Sequence, residues 1–321
     1  MAALLGGIGA PHRPVLLAET LKFLAPERGG FFVDCTVGLG GHTEAILKTS
    51  SDTRVVGIDR DQEALDFARK RLARFGDRFV GVHANFRDLK AVLERIEHSS
   101  ASGILADLGV SSLQFDTAER GFSFRFDAPL DMRMDRQGGE KTAADLLEHL
   151  PQEEIARILF EFGEERNSRR IAKAIVEKRE QGKSIRTTKE LAELIEANSR
   201  PRKKGQIHPA TRTFQALRIA VNHELEGLDQ FLEASIDLLQ PAARLVVISF
   251  HSLEDRIVKR ELRRLSGQCQ CPPRLPVCSC GARPAVEILT RRPVTPSTSE
   301  IEDNPRARSA RLRACKKVVS L

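Results

Sequence analysis

The chain of 321 residues contains neither tryptophan nor tyrosine. Stacking on a base or other heterocycle must therefore fall to Phe, His or Arg planes. No apolar run reaches the roughly 18 residues that a membrane span needs, so no membrane partner is expected. The stretch from Met1 to Gly9 is apolar and glycine-rich, but no basic segment precedes it. It is not read as a secretory signal, and the cytoplasm is the expected location.

What is present describes a globular protein with a sizeable core: 41% hydrophobic and 30% charged residues, enough for one large domain or two moderate ones. The net charge of +7 favours an anionic partner, nucleic acid first, although a basic surface without such a role is the plain alternative. Four of the six cysteines fall in Cys269-x-Cys271-x6-Cys278-x-Cys280. Four thiolates would suit zinc, but the C-x-C spacing is tighter than usual for it. With Pro272, Pro273 and Pro276 the segment reads as a stiff, reduced or redox-sensitive loop, and no metal ligands are assigned.

The chain is organised around Phe31-Phe32-Val33-Asp34-Cys35-Thr36-Val37-Gly38-Leu39-Gly40-Gly41-His42-Thr43. An apolar strand ends in an acid, a glycine turn comes after it, and a helical pattern begins. Such a unit makes a ligand crevice at the strand's carboxyl end. The dinucleotide fingerprint G-x-G-x-x-G fails here, because its third glycine would fall on Thr43. Asp34-x-x-x-Gly38-x-Gly40 resembles instead the first motif of class I S-adenosylmethionine methyltransferases; a turn with no ligand is the alternative.

Arg54-Val55-Val56-Gly57-Ile58-Asp59 reads as a second strand, and Asp59 comes 19 positions after Gly40. That is close to the spacing at which an acid accepts hydrogen bonds from ribose hydroxyls. Helix capping by Asp59 or Asp61 is the other reading. A third strand spans Arg78 to His83, and Phe86 lies beyond it, where it would flank an adenine or serve as a core aromatic. A fourth strand ends at Asp107. Alternating strands and helices predict a parallel doubly wound sheet, with Asp34, Asp59 and Asp107 all directed at one rim.

From Arg120 the pattern changes. Gly121 to Asp135 is a loop dense in Phe, Arg and Asp, suited to cover a site, to hold substrate, or to pack against an inserted segment. Four helices are predicted next: Thr142 to Leu150, Pro151 to Phe162, Asn167 to Glu180 and Thr187 to Asn198. Thr142-x-x-Asp145 and Thr188-x-x-Leu191 are their candidate caps. Residues 136–210 are taken as a helical domain inserted into a sheet domain of 1–135 and 211–321. Its basic residues, among them Arg166, Arg169, Arg170 and Lys173, with Arg200-Pro201-Arg202-Lys203-Lys204 after them, suit phosphate contact. Further on come helices to Leu225 and Leu239, a fifth strand Ala243 to Phe250, a basic helix opened by His251, and a strand Val286 to Thr290. The ending Asn304 to Arg313 reads as a basic tail or an edge strand.

Taken together these segments resemble the bacterial small-subunit (16S) rRNA cytosine-N4 methyltransferase family, RsmH/MraW. The resemblance is carried by His12-x-Pro14-Val15-Leu16-Leu17, Gly38-Leu39-Gly40-Gly41-His42-Thr43, Asp107-Leu108-Gly109-Val110-Ser111-Ser112, Glu119-Arg120-Gly121-Phe122-Ser123-Phe124, Pro129-Leu130-Asp131-Met132-Arg133-Met134-Asp135, Phe214-Gln215-Ala216-Leu217-Arg218 and Ser249-Phe250-His251-Ser252-Leu253-Glu254-Asp255-Arg256. They span nearly the full length. Leu113 departs from the family, many members of which carry proline there. The resemblance implies a class I, Rossmann-like methyltransferase sheet interrupted by an all-helical substrate domain. It also implies S-adenosylmethionine contacts at Gly40, Gly41, His42, Asp59, Phe86, Asp107 and Gln114, and methylation of one cytidine N4 in the decoding region of small-subunit rRNA.

The chemistry agrees with an amine acceptor. Attack at a cytosine C5 would use a nucleophilic Cys, usually after proline, and none of the six cysteines comes directly after one. N-methylation needs no covalent intermediate, since the amine attacks the sulfonium methyl in line. Asp107-Leu108-Gly109 stands where many amino-methyltransferases carry Asp/Asn-Pro-Pro-aromatic, so Asp107 or adjacent carbonyls are expected to orient the N4 amine. An RNA-binding assembly protein without turnover is the alternative from another class, opposed by the intact Gly-Leu-Gly-Gly-His turn, Asp59 and Asp107. A nicotinamide oxidoreductase is disfavoured by Thr43.

Overall fold

The computed structural model describes residues 14–199, 208–269, 271 and 281–319. They form two compact units: a sheet unit within Met1–Gly109 and Gly227–Leu321, and a helical unit, Val110–Glu226. His12, the Arg200 to Lys204 run, Cys278 and Cys280 lie outside the described residues, and the zinc question lies there with them.

In the sheet unit, α1 (Leu17–Leu24) precedes β1 (Gly30–Asp34), α2 (Gly41–Thr49), β2 (Thr53–Asp59), α3 (Gln62–Leu72), β3 (Phe79–His83), α4 (Leu89–Arg95) and β4 (Ala101–Asp107). The helical unit contributes α5 (Ser112–Asp116), α6 (Ala143–His149), α7 (Gln152–Gly163), α8 (Ser168–Glu180), α9 (Thr188–Ala197) and α10 (Ala210–Asn222). The sheet unit resumes with α11 (Leu228–Leu238), β5 (Leu239–Ser249), α12 (Ser252–Leu265), β6 (Val286–Ile288), α13 (Thr298–Asp303) and β7 (Arg311–Lys317).

The strand order is β3-β2-β1-β4-β5-β7-β6. The first five strands are parallel, and β7 is antiparallel to both β5 and β6. Successive strand residues point to opposite faces, and here both faces are covered. Val33, Val56, Ile104 and Val247 pack with Leu232 and Leu262 on one side, while Phe32, Val55, Leu105 and Val246 pack with Leu47, Leu65 and Leu72 on the other. That is why the parallel strands read as unbroken apolar runs. The direction of winding reverses between β1 and β4, and ligands of open α/β sheets bind at the carboxyl ends beside such a reversal.

The chain's ending is corrected by β7. It is neither a tail nor an edge strand, because it lies between β5 and β6. Arg313 is buried there and paired with Asp255, Nε to Oδ1 at 2.6 Å, while Arg311 reaches the same carboxylate at 3.0 Å. The Arg313 guanidinium holds the Asp255 carboxyl below its ordinary range against the opposing effect of burial. An arginine that looks solvent-seeking in sequence is thus neutralised inside the sheet's flank.

The helical unit is wider than the expected 136–210. Phe122, Leu130, Met132 and Met134 from the preceding loop, and Phe214, Leu217 and Val221 from α10, share one core with α6 to α9. The Phe-rich loop is therefore largely a packing element. Arg120 is buried and donates from Nη2 to the carbonyls of Arg133 and Met134 at 3.1 and 2.8 Å. The Asn222 side chain bonds Met134 N and Met132 O, both at 2.7 Å, pinning the loop to α10. Of the loop's phenylalanines, Phe126 alone is left half exposed, at 50%.

The starts of α5, α6 and α9 carry reciprocal caps. Thr142 and Asp145 form the expected box on α6. On α9 the cap is Thr187 with Glu190, not Thr188 with Leu191. Thr188 is buried and its hydroxyl donates to the carbonyl of Phe126 at 2.6 Å, so it is spent on the loop. Among the described residues no helix is long and apolar enough to cross a membrane.

Candidate active site at the carboxyl rim of the sheet

The turn after β1 is held by its own acid. Thr43 donates its hydroxyl to Asp34 Oδ2 at 2.6 Å, and Thr36 N donates to Asp34 Oδ1 at 3.2 Å. Asp34 is buried, which pushes its carboxyl above the ordinary range. The expectation that Asp34 faces the rim is therefore corrected, because its carboxylate is turned inward to tie the first turn of α2 to β1. The residue that breaks the dinucleotide fingerprint, Thr43, is the one that makes this tie.

Gly38 and Gly40 adopt φ of +51° and +78°, a left-handed backbone that glycine takes without strain. At Gly41 a Cβ would come within 2.6 Å of the Pro14 ring, so the approach of α1's leading segment requires glycine there too. Gly40 caps α2 with no side chain over the first-turn amides. A helix start left open in this way suits an anionic group.

Asp59, at the end of β2, accepts from Gly38 N at 2.7 Å and from Asp61 N at 2.8 Å. The helix cap of α3 is Asp61, whose carboxylate takes Glu63 N and Ala64 N. Capping thus falls to Asp61, which leaves Asp59 to face the turn. Each Asp59 oxygen retains a lone pair for a further donor. Burial pushes its carboxyl up to about 6 despite the two backbone donors.

Phe86, just past β3, is partly buried and packs edge-on against Phe231 of α11, with centroids 4.8 Å apart. It is anchored as a core aromatic at the same end of the sheet.

At the end of β4, Asp107 N donates to Thr36 Oγ1 at 2.7 Å, which joins β4 to the turn after β1. Asp107 Oδ2 lies 3.5 Å from Nε2 of His42, on the first turn of α2. His42 is 7% exposed, yet neither ring nitrogen has a hydrogen-bond partner, and Asp107 Oδ1 has none either. Buried polar atoms left unsatisfied are costly and uncommon. Here they cluster where a ligand would complete them. Beyond Asp107, a Cβ on Gly109 would meet the ring of Phe250, just past β5, at 2.6 Å. Close aromatic packing therefore explains the glycine in Asp107-Leu108-Gly109.

Sequence reasoning placed Gly40, Gly41, His42, Asp59, Phe86 and Asp107, and all belong to the strand ends and turns of the sheet unit. It missed Thr36, Thr43 and Phe250. A hydroxyl shortly after a strand-end acid was the only signal for the two threonines, and nothing local marked Phe250. Gln114 belongs to the helical unit, where its side chain accepts from Ser111 N at 3.0 Å in the capping box of α5.

The group these residues fit is S-adenosylmethionine: Asp59 for ribose hydroxyls, the open start of α2 for a carboxylate, and the His42–Asp107 pair beside them. Comparison with known proteins agrees. The model of the MraW methylase family matches residues 9–318. The "Ribosomal RNA small subunit methyltransferase H" of Carboxydothermus hydrogenoformans is 50% identical over 307 residues, covering 96% of this chain and 98% of that protein. Proteins of the same name from Symbiobacterium thermophilum and Geobacter sulfurreducens are 52% and 53% identical, each over 96% of this chain and over 96% and 99% of their own lengths. The match runs over nearly the whole chain, and the chain belongs to the MraW methylase family, as an S-adenosylmethionine-dependent methyltransferase.

Proposed function

We propose that this protein methylates the exocyclic N4 amine of one cytidine in the decoding region of small-subunit ribosomal RNA. The observation that carries the reading is the pair of buried, unsatisfied groups at the rim, His42 and Asp107 Oδ1, beside the ribose acid Asp59. The names of the relatives, all ribosomal RNA small subunit methyltransferase H, supply the substrate class.

S-adenosylmethionine, when bound, supplies an electrophilic methyl. Asp59 accepts the ribose hydroxyls, and Gly40 and Gly41 allow the backbone to approach. Asp107 accepts a hydrogen bond from the N4 amine and aims its lone pair at the methyl. Holding two reacting atoms in this way removes much of the entropic barrier. The amine proton leaves after transfer. Cysteine chemistry at C5 is disfavoured by the thiols within the core: Cys35 and Cys315 are buried, and burial pushes the Cys315 thiol to about 12. The target base must be unstacked to enter, and the helical unit is the substrate-binding domain. The substrate is small-subunit ribosomal RNA, free or within the assembled or assembling subunit.

The test uses radiolabelled S-adenosylmethionine with small subunits, and separately with rRNA, from cells lacking this protein. Label on N4 of a single cytidine is expected, and comparison of subunits with free rRNA shows which of the two is the substrate. Cofactor binding without label on any RNA would replace the enzyme reading with that of an assembly factor.

A further inference from the structure

A second concave surface lies in the sheet unit, on the flank formed by α12, β6 and the turn after it. It is a cleft of about 430 Å³. Leu262, Val286 and Ile288 are part of its apolar floor, and Lys259, Arg263 and Arg291 stand at its rim. All three cations are exposed.

The charges of this flank fall into two sets. Arg260 is paired with Glu261, Arg264 with Glu261 and Glu233, and Arg313 with the buried Asp255. The acid of the cleft, Glu287, is taken by Lys316 at 2.6 Å. Lys259, Arg263 and Arg291 have no carboxylate partner among the described residues. Lys259 and Arg263 are one helical turn apart on the face of α12 that turns to the cleft. Like charges at this spacing oppose helix stability. They remain uncompensated although Arg260, Arg264 and Arg313 on the same flank have each found an acid.

We propose that this cleft is a docking site for the phosphodiester backbone of the RNA substrate, separate from the rim where methyl transfer occurs. The proposal rests on the RNA reading above and adds where the RNA is held. Three unneutralised cations around a concavity suit successive phosphates, and the apolar floor suits one unstacked base between them. The cleft begins seven residues into α12, so the contact lies roughly 10–17 Å along that helix from its start beside the end of β5. It therefore grips backbone outside the methyl-transfer rim, and contributes to RNA affinity rather than to the chemical step.

The experiment compares the wild-type protein, the triple variant Lys259→Ala, Arg263→Ala and Arg291→Ala, and a control triple variant Lys70→Ala, Lys90→Ala and Arg95→Ala. The control removes the same charge from exposed positions elsewhere in the unit. Binding of a small-subunit rRNA fragment is measured against salt, together with methylation kinetics and calorimetric S-adenosylmethionine affinity. The cleft variant is expected to bind RNA on the order of 10- to 100-fold more weakly at low salt. Its slope of log affinity against log salt should be shallower by about 2, from a loss near 0.7 per phosphate contact. KM for RNA should rise in parallel, with kcat at saturating RNA and cofactor affinity unchanged. RNA affinity and slope equal to those of the wild type, or of the control variant, overturn the docking site while wild-type methylation leaves the RNA reading standing. Absence of both RNA binding and RNA label in the wild-type protein overturns that reading, and the docking site with it.

Discussion

The helix caps and loop ties of the helical unit and the rim of the sheet unit use polar side chains in opposite ways. In the helical unit they are spent on the fold: Thr142 with Asp145 and Thr187 with Glu190 close helix starts, and Arg120 and Asn222 pin the Phe-rich loop. At the rim of the sheet unit, His42 and Asp107 Oδ1 are buried and left without hydrogen bonds. Asp59 is held above its ordinary range by burial. A fold bears such costs where a ligand offsets them. The difference separates side chains that hold the fold from side chains left for a ligand.

The sharpest way to break this contrast is Asp107→Asn. If Asp107 orients the amine, kcat should fall on the order of 100-fold, as for the loss of one oriented polar group in a dry site. Rapid-quench turnover and cofactor titration read it out. Turnover and cofactor affinity both equal to wild type would remove Asp107 from the chemistry.

Next in size is the pH dependence of cofactor binding through Asp59. Ribose hydroxyls donate to the ionised carboxylate, so the bound complex favours the charged form. Affinity should be full above the free-protein value near 6 and lost as pH falls through it. Between pH 7 and 5 the loss should be roughly tenfold, measured by calorimetry. In Asp59→Asn binding should be weaker and flat over that range, and an equally sloped profile would assign the titration to another group.

Thr43→Val tests the tie within the turn. It leaves the buried Asp34 carboxylate without its closest donor, at a cost of about 1.5–3 kcal/mol of stability, read from the denaturant midpoint. Cofactor affinity should fall with it, since the turn carries the glycines. Thr187→Ala, in the helical unit, is the smallest expected change. Loss of that cap should cost about 1 kcal/mol of stability while cofactor affinity stays constant. A cofactor effect as large as that of Thr43→Val would erase the distinction between the units.

Much of the site was legible because it is local. A strand, an acid at its end, a glycine turn and a helix occupy neighbouring positions, and parallel topology brings successive strand ends to one side. Asp59 and Asp107 could be named from spacing and strand ends alone. Asp34 was misread as facing the rim, since a side chain's direction at a strand end depends on donors such as Thr43 that the pattern does not rank. Thr188 was chosen as a cap over Thr187 because both look equivalent until the loop claims one hydroxyl. Gly109 carried no signal of its partner, because Phe250 arrives from a strand about 140 positions later.

By itself the sequence determined the period of each element, the chain of acids at strand ends and the family to which the chain belongs. These arise from residue order and near-neighbour chemistry. Only the tertiary structure decided that β7 runs inside the sheet, that Arg313 is buried against Asp255, and that His42 and Asp107 meet with their polar atoms unsatisfied. Each depends on contacts between segments far apart in the chain. No local pattern records which of many charged or polar side chains will find a partner and which will be left for a ligand.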